Sequence, residues 1–277
     1  MVLVDQEVKG VEGFNMEIEV REKNGDELVF IIRNAEVPFV NAIRRIAMME
    51  VPKIAIDEVN VYVNDSAMFN EVLAHRLGLV PIMSDKETIE GLLDSDSTVS
   101  FTLQKSGPAI VYSGDLISSD SKIKPVYDTI PLLKLKEDEN VELEAIARIG
   151  KGLDHAKWMP TTVCAYKQFP KITFNENMEV TKEIADACPR NILSFDKENK
   201  KITLGNLENC SMCKTCVRTS QSIANSVNSA INVDFIDDTF IFTIESDGSI
   251  SPEEILLRSC DVLNQKTDKF ITFFKGG

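Results

Sequence analysis

Ser251-Pro252-Glu253-Glu254-Ile255-Leu256-Leu257-Arg258-Ser259-Cys260 opens the stretch on which the reading of this chain turns. Ser251 is a helix cap, Pro252 stands at the first helical position, where its missing N–H is no loss, and Glu254 follows three residues after the serine. The pattern predicts a helix from there to about Phe274. Leu256, Cys260, Leu263, Phe270 and Phe274 then recur at heptad-like spacing as an apolar stripe. The remaining sequence offers no second long helix to cover that stripe, so a partner helix is the economical expectation.

Immediately upstream, Phe240, Phe242 and Ile244 alternate as a strand that Asp247-Gly248 ends. The other end of the chain reads as a hairpin. Met16, Ile18 and Val20 alternate with polar residues, as do Leu28, Phe30 and Ile32, and Asn24-Gly25 suits the turn between them. Pro38 begins a helix with Val40, Ile43 and Ala47 on one face, Phe39, Ala42 and Ile46 beside them, and Asn41, Arg44 and Arg45 at other angles. Two adjacent cations on an otherwise apolar helix suit a partner or an acidic neighbour. Residues 54–63 read as extended, and 70–77 as a helix with Gly78 as its left-handed cap. Residues 84–100, which include Asp94 and Asp96, read as a solvated surface loop. Leu143, Ala145, Ala147 and Ile149 alternate as a strand broken by Gly150 and Gly152.

Composition bounds the function. The 277 residues carry 30 Lys+Arg against 44 Asp+Glu, a net charge of −14, which argues against a protein that grips phosphate backbones by itself. With 43% hydrophobic residues the chain can build real cores, about two domains by length. No window approaches a membrane span, and the acidic N-terminus lacks a signal-peptide pattern. A cytoplasmic protein is expected.

Six cysteines and only two histidines mean that any metal site is mostly thiolate. Cys164 and Cys260 stand alone and read as small core residues. Cys210-x-x-Cys213-x-x-Cys216, with Cys188-Pro189 upstream, has the spacing with which bacterial-type ferredoxins wrap one corner of an iron–sulfur cluster. Two-residue gaps turn the chain tightly about one centre and aim backbone N–H groups at the sulfurs. The absence of a second CxxCxxC allows one cluster and not two. Zinc held by the same four thiolates is the alternative, although zinc more often uses two CxxC pairs, and cysteines left free or disulfide-bonded are a third. With three irons one cysteine, Cys213, would be spare. His75 and His155 lack the partners of a catalytic or metal-binding histidine and read as packing or interface residues. No catalytic constellation emerges.

The run Phe39-Val40-Asn41-Ala42-Ile43-Arg44-Arg45-Ile46, then Val51-Pro52 and Ala55-Ile56-Asp57, then Asn70 through Ile82 with His75-Arg76-Leu77-Gly78, resembles the D-subunit family of archaeal RNA polymerase. That family is similar to the third-largest subunit of eukaryotic polymerase II and to the N-terminal domain of bacterial alpha. His155-Ala156-Lys157-Trp158 matches a second family signature, and the strand Phe240–Glu245, Gly248 and the last helix match a third. The resemblance implies an α+β protein. Residues 1–52 and 226–277 would form a discontinuous alpha-like dimerisation domain, 53–166 a mostly β insert domain, and 167–225 a small ferredoxin-like iron–sulfur domain.

It further implies a non-catalytic scaffold of DNA-directed RNA polymerase. The first and last helices, with Phe39, Asn41, Leu256, Leu263, Phe270 and Phe274, would pack on subunit L. Arg44, Arg45, His75 and Arg76 would face the large subunits, with subunits N and P nearby and little direct DNA contact. One [3Fe-4S] or [4Fe-4S] cluster, structural in role, would sit on Cys188, Cys210, Cys213 and Cys216, with zinc as the alternative. The rival reading is an electron-transfer or redox-sensing iron–sulfur protein.

Overall fold

The computed structural model describes residues 15–95 and 98–275. The N-terminal segment read for a signal peptide and Asp96 lie outside the described residues.

A hairpin comes first: β1 (Glu17–Asn24) and β2 (Glu27–Arg33). The chain reverses at Gly25, whose φ of +54° is open to glycine without strain. Next come α1 (Val37–Met49) and β3 (Lys53–Asn64), and after the Asn64–Ser66 corner α2 (Asn70–Gly78). Gly78 is not the expected left-handed cap. The last turn of α2 continues right-handed through Leu79, whose N–H reaches Arg76 and Leu77 carbonyls, while a Cβ on Gly78 would lie 3.4 Å from the Ile56 carbonyl. The expected 84–100 loop is also corrected, because α3 (Lys86–Ser95) occupies much of it. Asp85 caps that helix by accepting from the Thr88 N–H at 2.9 Å, and Ile89 buries itself in the core.

Five strands follow: β4 (Val99–Ser106), β5 (Ala109–Tyr112), β6 (Ile117–Ser118), β7 (Pro131–Leu135) and β8 (Asn140–Gly150). The chain then forms β9 (Thr161–Phe174), α4 (Lys182–Asp186), β10 (Leu193–Asp196), β11 (Lys201–Leu204) and α5 (Thr215–Ala224). β12 (Ile231–Ser246) and α6 (Pro252–Lys275) complete it. The sheets have the orders β1-β2-β12-β9, β3-β8-β4-β6, β5-β7 and β10-β11. β3 and β4 both pair antiparallel with β8. Antiparallel sheets with helices set apart from them make this an α+β protein.

The described chain falls into two compact units. One comprises residues to 21, 29–38 and 166–242; the other comprises 22–28, 39–165 and 243 onward. The first holds an aromatic cluster in which Phe30 stacks on Phe242 at 5.2 Å and Tyr166 meets Phe240 edge-on at 5.7 Å. It also holds a smaller core of Ile184, Ile192, Leu193, Ile231 and three of the cysteines.

The second unit has the largest core, where alternate residues of β3, β4 and β8 pack with Leu73, Leu77 and Ile82. Each large side chain buried there contributes about 1.5–3 kcal/mol. In the same unit, residues distant in sequence meet: Ala47 and Val51 at the end of α1 pack with Ile250 and Ile255 at the start of α6, with Cys164 against them. Lys53, almost fully buried, pairs with Asp247 and donates to the Met159 carbonyl at 3.3 Å.

Candidate functional site

Two places carry the candidate functional side chains. The first is a small enclosed pocket lined by Cys188, Cys210, Cys213 and Cys216 together with Pro189, Arg190, Lys214, Ile172, Ile192 and Val233. Cys188 follows α4, its N–H bonded to the Ala185 carbonyl at 3.1 Å. Cys210 ends a single 3₁₀ turn, Leu207–Asn209, and Cys216 lies in the first turn of α5. Cys188, Cys210 and Cys216 are buried and Cys213 is exposed. The Met212 N–H donates to the Cys210 sulfur at 3.4 Å, and the Thr215 hydroxyl to the Cys213 sulfur at 3.3 Å.

Burial pushes the Cys216 thiol up, and its three neighbouring thiols add to the rise. The Thr215 hydroxyl and N–H hold Cys213 below the usual thiol range. None of the six cysteines is paired in a disulfide. Among the described residues, no three His, Cys, Asp or Glu gather as ligands about a single ion. The sequence brings the four cysteines to one pocket through their spacing, but carries no signal for Ile172 and Val233, which arrive from β9 and β12.

The second place is the surface of α1 and α6. Val40, Ile43, Ile46 and Ala47 bury one face of α1. Phe39 and Asn41 are half-buried, Arg45 is exposed, and the Arg44 guanidinium donates to the Asn41 side-chain oxygen at 3.1 and 3.2 Å. In α6 the inward face is Ile255, Arg258 and Ser259, offset from the stripe read in the sequence. Leu256, Cys260 and Leu263 are half-buried, and every described residue from Asn264 onward is exposed. Phe270, Phe273 and Phe274 are 66%, 79% and 68% exposed, and among the described residues their rings pair in aromatic contact only with one another. Phe273 and the exposed Leu257 were missed in the sequence because heptad spacing selects one stripe, whereas this helix is apolar on more than one side.

His75 and Arg76 are exposed on α2, where Arg76 donates to the Pro131 carbonyl at 2.5 Å. His155 accepts from the Lys157 N–H at 3.1 Å and meets Trp158 edge-on. Lys157 reaches over that ring, 4.3 Å from its centroid, and pairs with Asp57 at 2.5 Å. Cys164 is a packed core thiol, as expected, and burial pushes it up to about 12. Among the described residues, no helix is long and apolar enough to cross a membrane.

Residues 29–267 match the family described as the RNA polymerase Rpb3/Rpb11 dimerisation domain. The chain is 58% identical over 272 residues to the DNA-directed RNA polymerase subunit Rpo3 of Methanobrevibacter smithii, covering 95% of this chain and 99% of the relative. It is 50% identical to the Rpo3 subunit of Methanothermobacter thermautotrophicus, over 95% of this chain and all of that relative. The Rpo3 subunit of Thermococcus kodakarensis is 34% identical over 92% of this chain and 96% of the relative.

Proposed function

Since the chain belongs to the archaeal Rpo3 family of RNA polymerase subunits, we propose that it serves as the non-catalytic assembly subunit of a DNA-directed RNA polymerase in the cytoplasm. The observation that carries the reading is the outer half of α6, a helix whose three phenylalanines no described residue of this chain covers. Helices this long are stabilised by burying an apolar face, and the match to a dimerisation family supports a subunit L–like chain as the occupant. The polymerase's catalytic carboxylates then belong to another chain.

Residues 1–52 with 226–277 serve as the dimerisation domain, 53–166 as the insert domain and 167–225 as a ferredoxin-like domain. Arg44 and Arg45 on α1, and His75 and Arg76 on α2, face the large subunits, with N and P docking nearby. Hydrogen exchange on the chain with and without purified subunit L tests this. Strong protection of 263–275 only in the mixture is expected. Equal protection in the chain alone would count decisively against the scaffold role.

The four thiols fit an iron–sulfur group better than zinc. What supports that reading is the spacing, Cys210-x-x-Cys213-x-x-Cys216 with Cys188-Pro189 upstream, because zinc more often uses two CxxC pairs. Cys188, Cys210 and Cys216 would hold a [3Fe-4S] cluster, and Cys213 would add the fourth ligand of a [4Fe-4S] cluster. When bound, the group supplies covalent cross-links between α4, the Cys210 turn and α5, a structural staple. Iron, sulfide and zinc analysis with visible absorption on anaerobically purified protein tests it; stoichiometric zinc without sulfide refutes it. The electron-transfer reading is not favoured, because membership of the polymerase family accounts for the chain without it.

A further inference from the structure

Lys167 lies on β9, outside every sequence motif that points to metal or partner, and its ammonium donates to the carbonyls of Glu208 at 2.6 Å and Cys210 at 3.0 Å. From β1, the Arg21 guanidinium meets the Glu208 carboxylate at 2.9 Å. Two cations on two strands therefore converge on the short turn that delivers Cys210 to the pocket. At the far end of the same loop, the Arg218 guanidinium donates to the Cys213 carbonyl at 3.1 Å.

This loop needs external support. Met212 and Lys214 adopt left-handed φ values of 51° and 58°, a conformation strained for any residue other than glycine. Bonds from an ammonium to carbonyl oxygens are about twice as strong as neutral ones, so the Lys167 contacts are well suited to offset that strain.

We infer that Lys167 is a positioning residue for the thiol pocket: its two bonds to the loop carbonyls, backed by Arg21 on Glu208, fix the Cys210 backbone so that its sulfur stays on the pocket wall with Cys188 and Cys216. The inference rests on the iron–sulfur reading for what the pocket holds, and on geometry alone for how the loop is held. No proton or electron moves in this role. The lysine sets where a ligand stands.

The test compares the full-length wild type, Lys167→Met, Lys167→Arg and Arg21→Ser, purified anaerobically. Three readouts are taken: hydrogen exchange of 207–214, iron and sulfide per chain, and visible absorption. Lys167→Met should exchange about tenfold faster in this loop, the effect of losing about 1.4 kcal/mol, while β12 exchanges as in the wild type. Its bound iron and charge-transfer absorption should fall by about half or more. Lys167→Arg should restore both, and Arg21→Ser should fall between. Unchanged loop exchange and iron in Lys167→Met would overturn the inference. So would failure of the arginine to rescue, or loosening of β12 as large as that of the loop in both Lys167→Met and Arg21→Ser. If the wild type itself carries no iron, the iron–sulfur reading fails, and the positioning role is then decided by the exchange of the metal-free chains.

Discussion

Replacing Phe273 by alanine separates the outward role of α6 from its inward one. Phe273 is 79% exposed, and its aromatic neighbour among the described residues is Phe274 at 5.3 Å. Its loss should therefore leave the isolated chain's melting temperature within about 1 °C, as for surface substitutions away from special features. A phenylalanine carries roughly 200 Å² of surface; covering four-fifths of it, less what an alanine would still bury, removes about 120 Å² from water. At about 25 cal/mol per Å² that is about 3 kcal/mol, or on the order of a hundredfold in dissociation constant. The value is also that of an interface hot spot. Titration calorimetry of the wild type and Phe273→Ala chains against purified subunit L measures it. A dissociation constant changed by less than about threefold would refute the claim that this side chain is buried by the partner. A fall of several degrees in the isolated chain's melting temperature would show that α6 already packs on its own chain.

Three further outcomes follow from local geometry. A Cβ at Gly150 would lie 2.3 Å from the Trp158 ring, so Gly150→Ala should displace the indole and red-shift the fluorescence of the chain's single tryptophan; an unchanged spectrum would refute the contact. Cys164, half-buried with its thiol pushed up to about 12, should resist iodoacetamide at pH 8 in metal-free protein, while the exposed Cys213, held below the usual thiol range, should react first by mass spectrometry. Burial alone would raise the Asp85 carboxyl, but its bonds from the Thr88 N–H and hydroxyl outweigh that and leave it lowered. Its capping contribution is therefore full above the ordinary carboxylate value of about 3.9 and lost as pH falls through the lowered folded value. Asp85→Ala should speed exchange in α3 at pH 7 by the loss of about 1 kcal/mol, and the wild type should show the same only under strong acid.

What was legible in the sequence was whatever is local. The cap at Ser251, the Gly25 reversal, the alternation in β8 and the spacing of Cys210, Cys213 and Cys216 each depend on residues a few positions apart, and each emerges where it was read. α3 was missed because its apolar face is thin: Ile89 is its one described side chain in the buried core, and the serines and aspartates around it read as loop. Gly78 was misjudged because a glycine near a helix end need not take a left-handed φ: here the last turn stays right-handed through Leu79.

The thiol pocket shows the limit most clearly. Its cysteines were legible from their spacing, but what holds them is set by topology. Lys167 stands 43 positions from Cys210, and only the strand that carries it gives it access to that carbonyl. A lysine in a strand has no local pattern to distinguish it from a solvated one. The same asymmetry applies to α6, whose stripe announced a partner while the face that anchors the helix, Ile255 and Ser259, became visible only through Ala47 and Val51. Patterns near in sequence thus identify the groups that do chemistry or binding. The groups that position them come from elsewhere in the chain, and substitutions there should alter geometry before they alter fold.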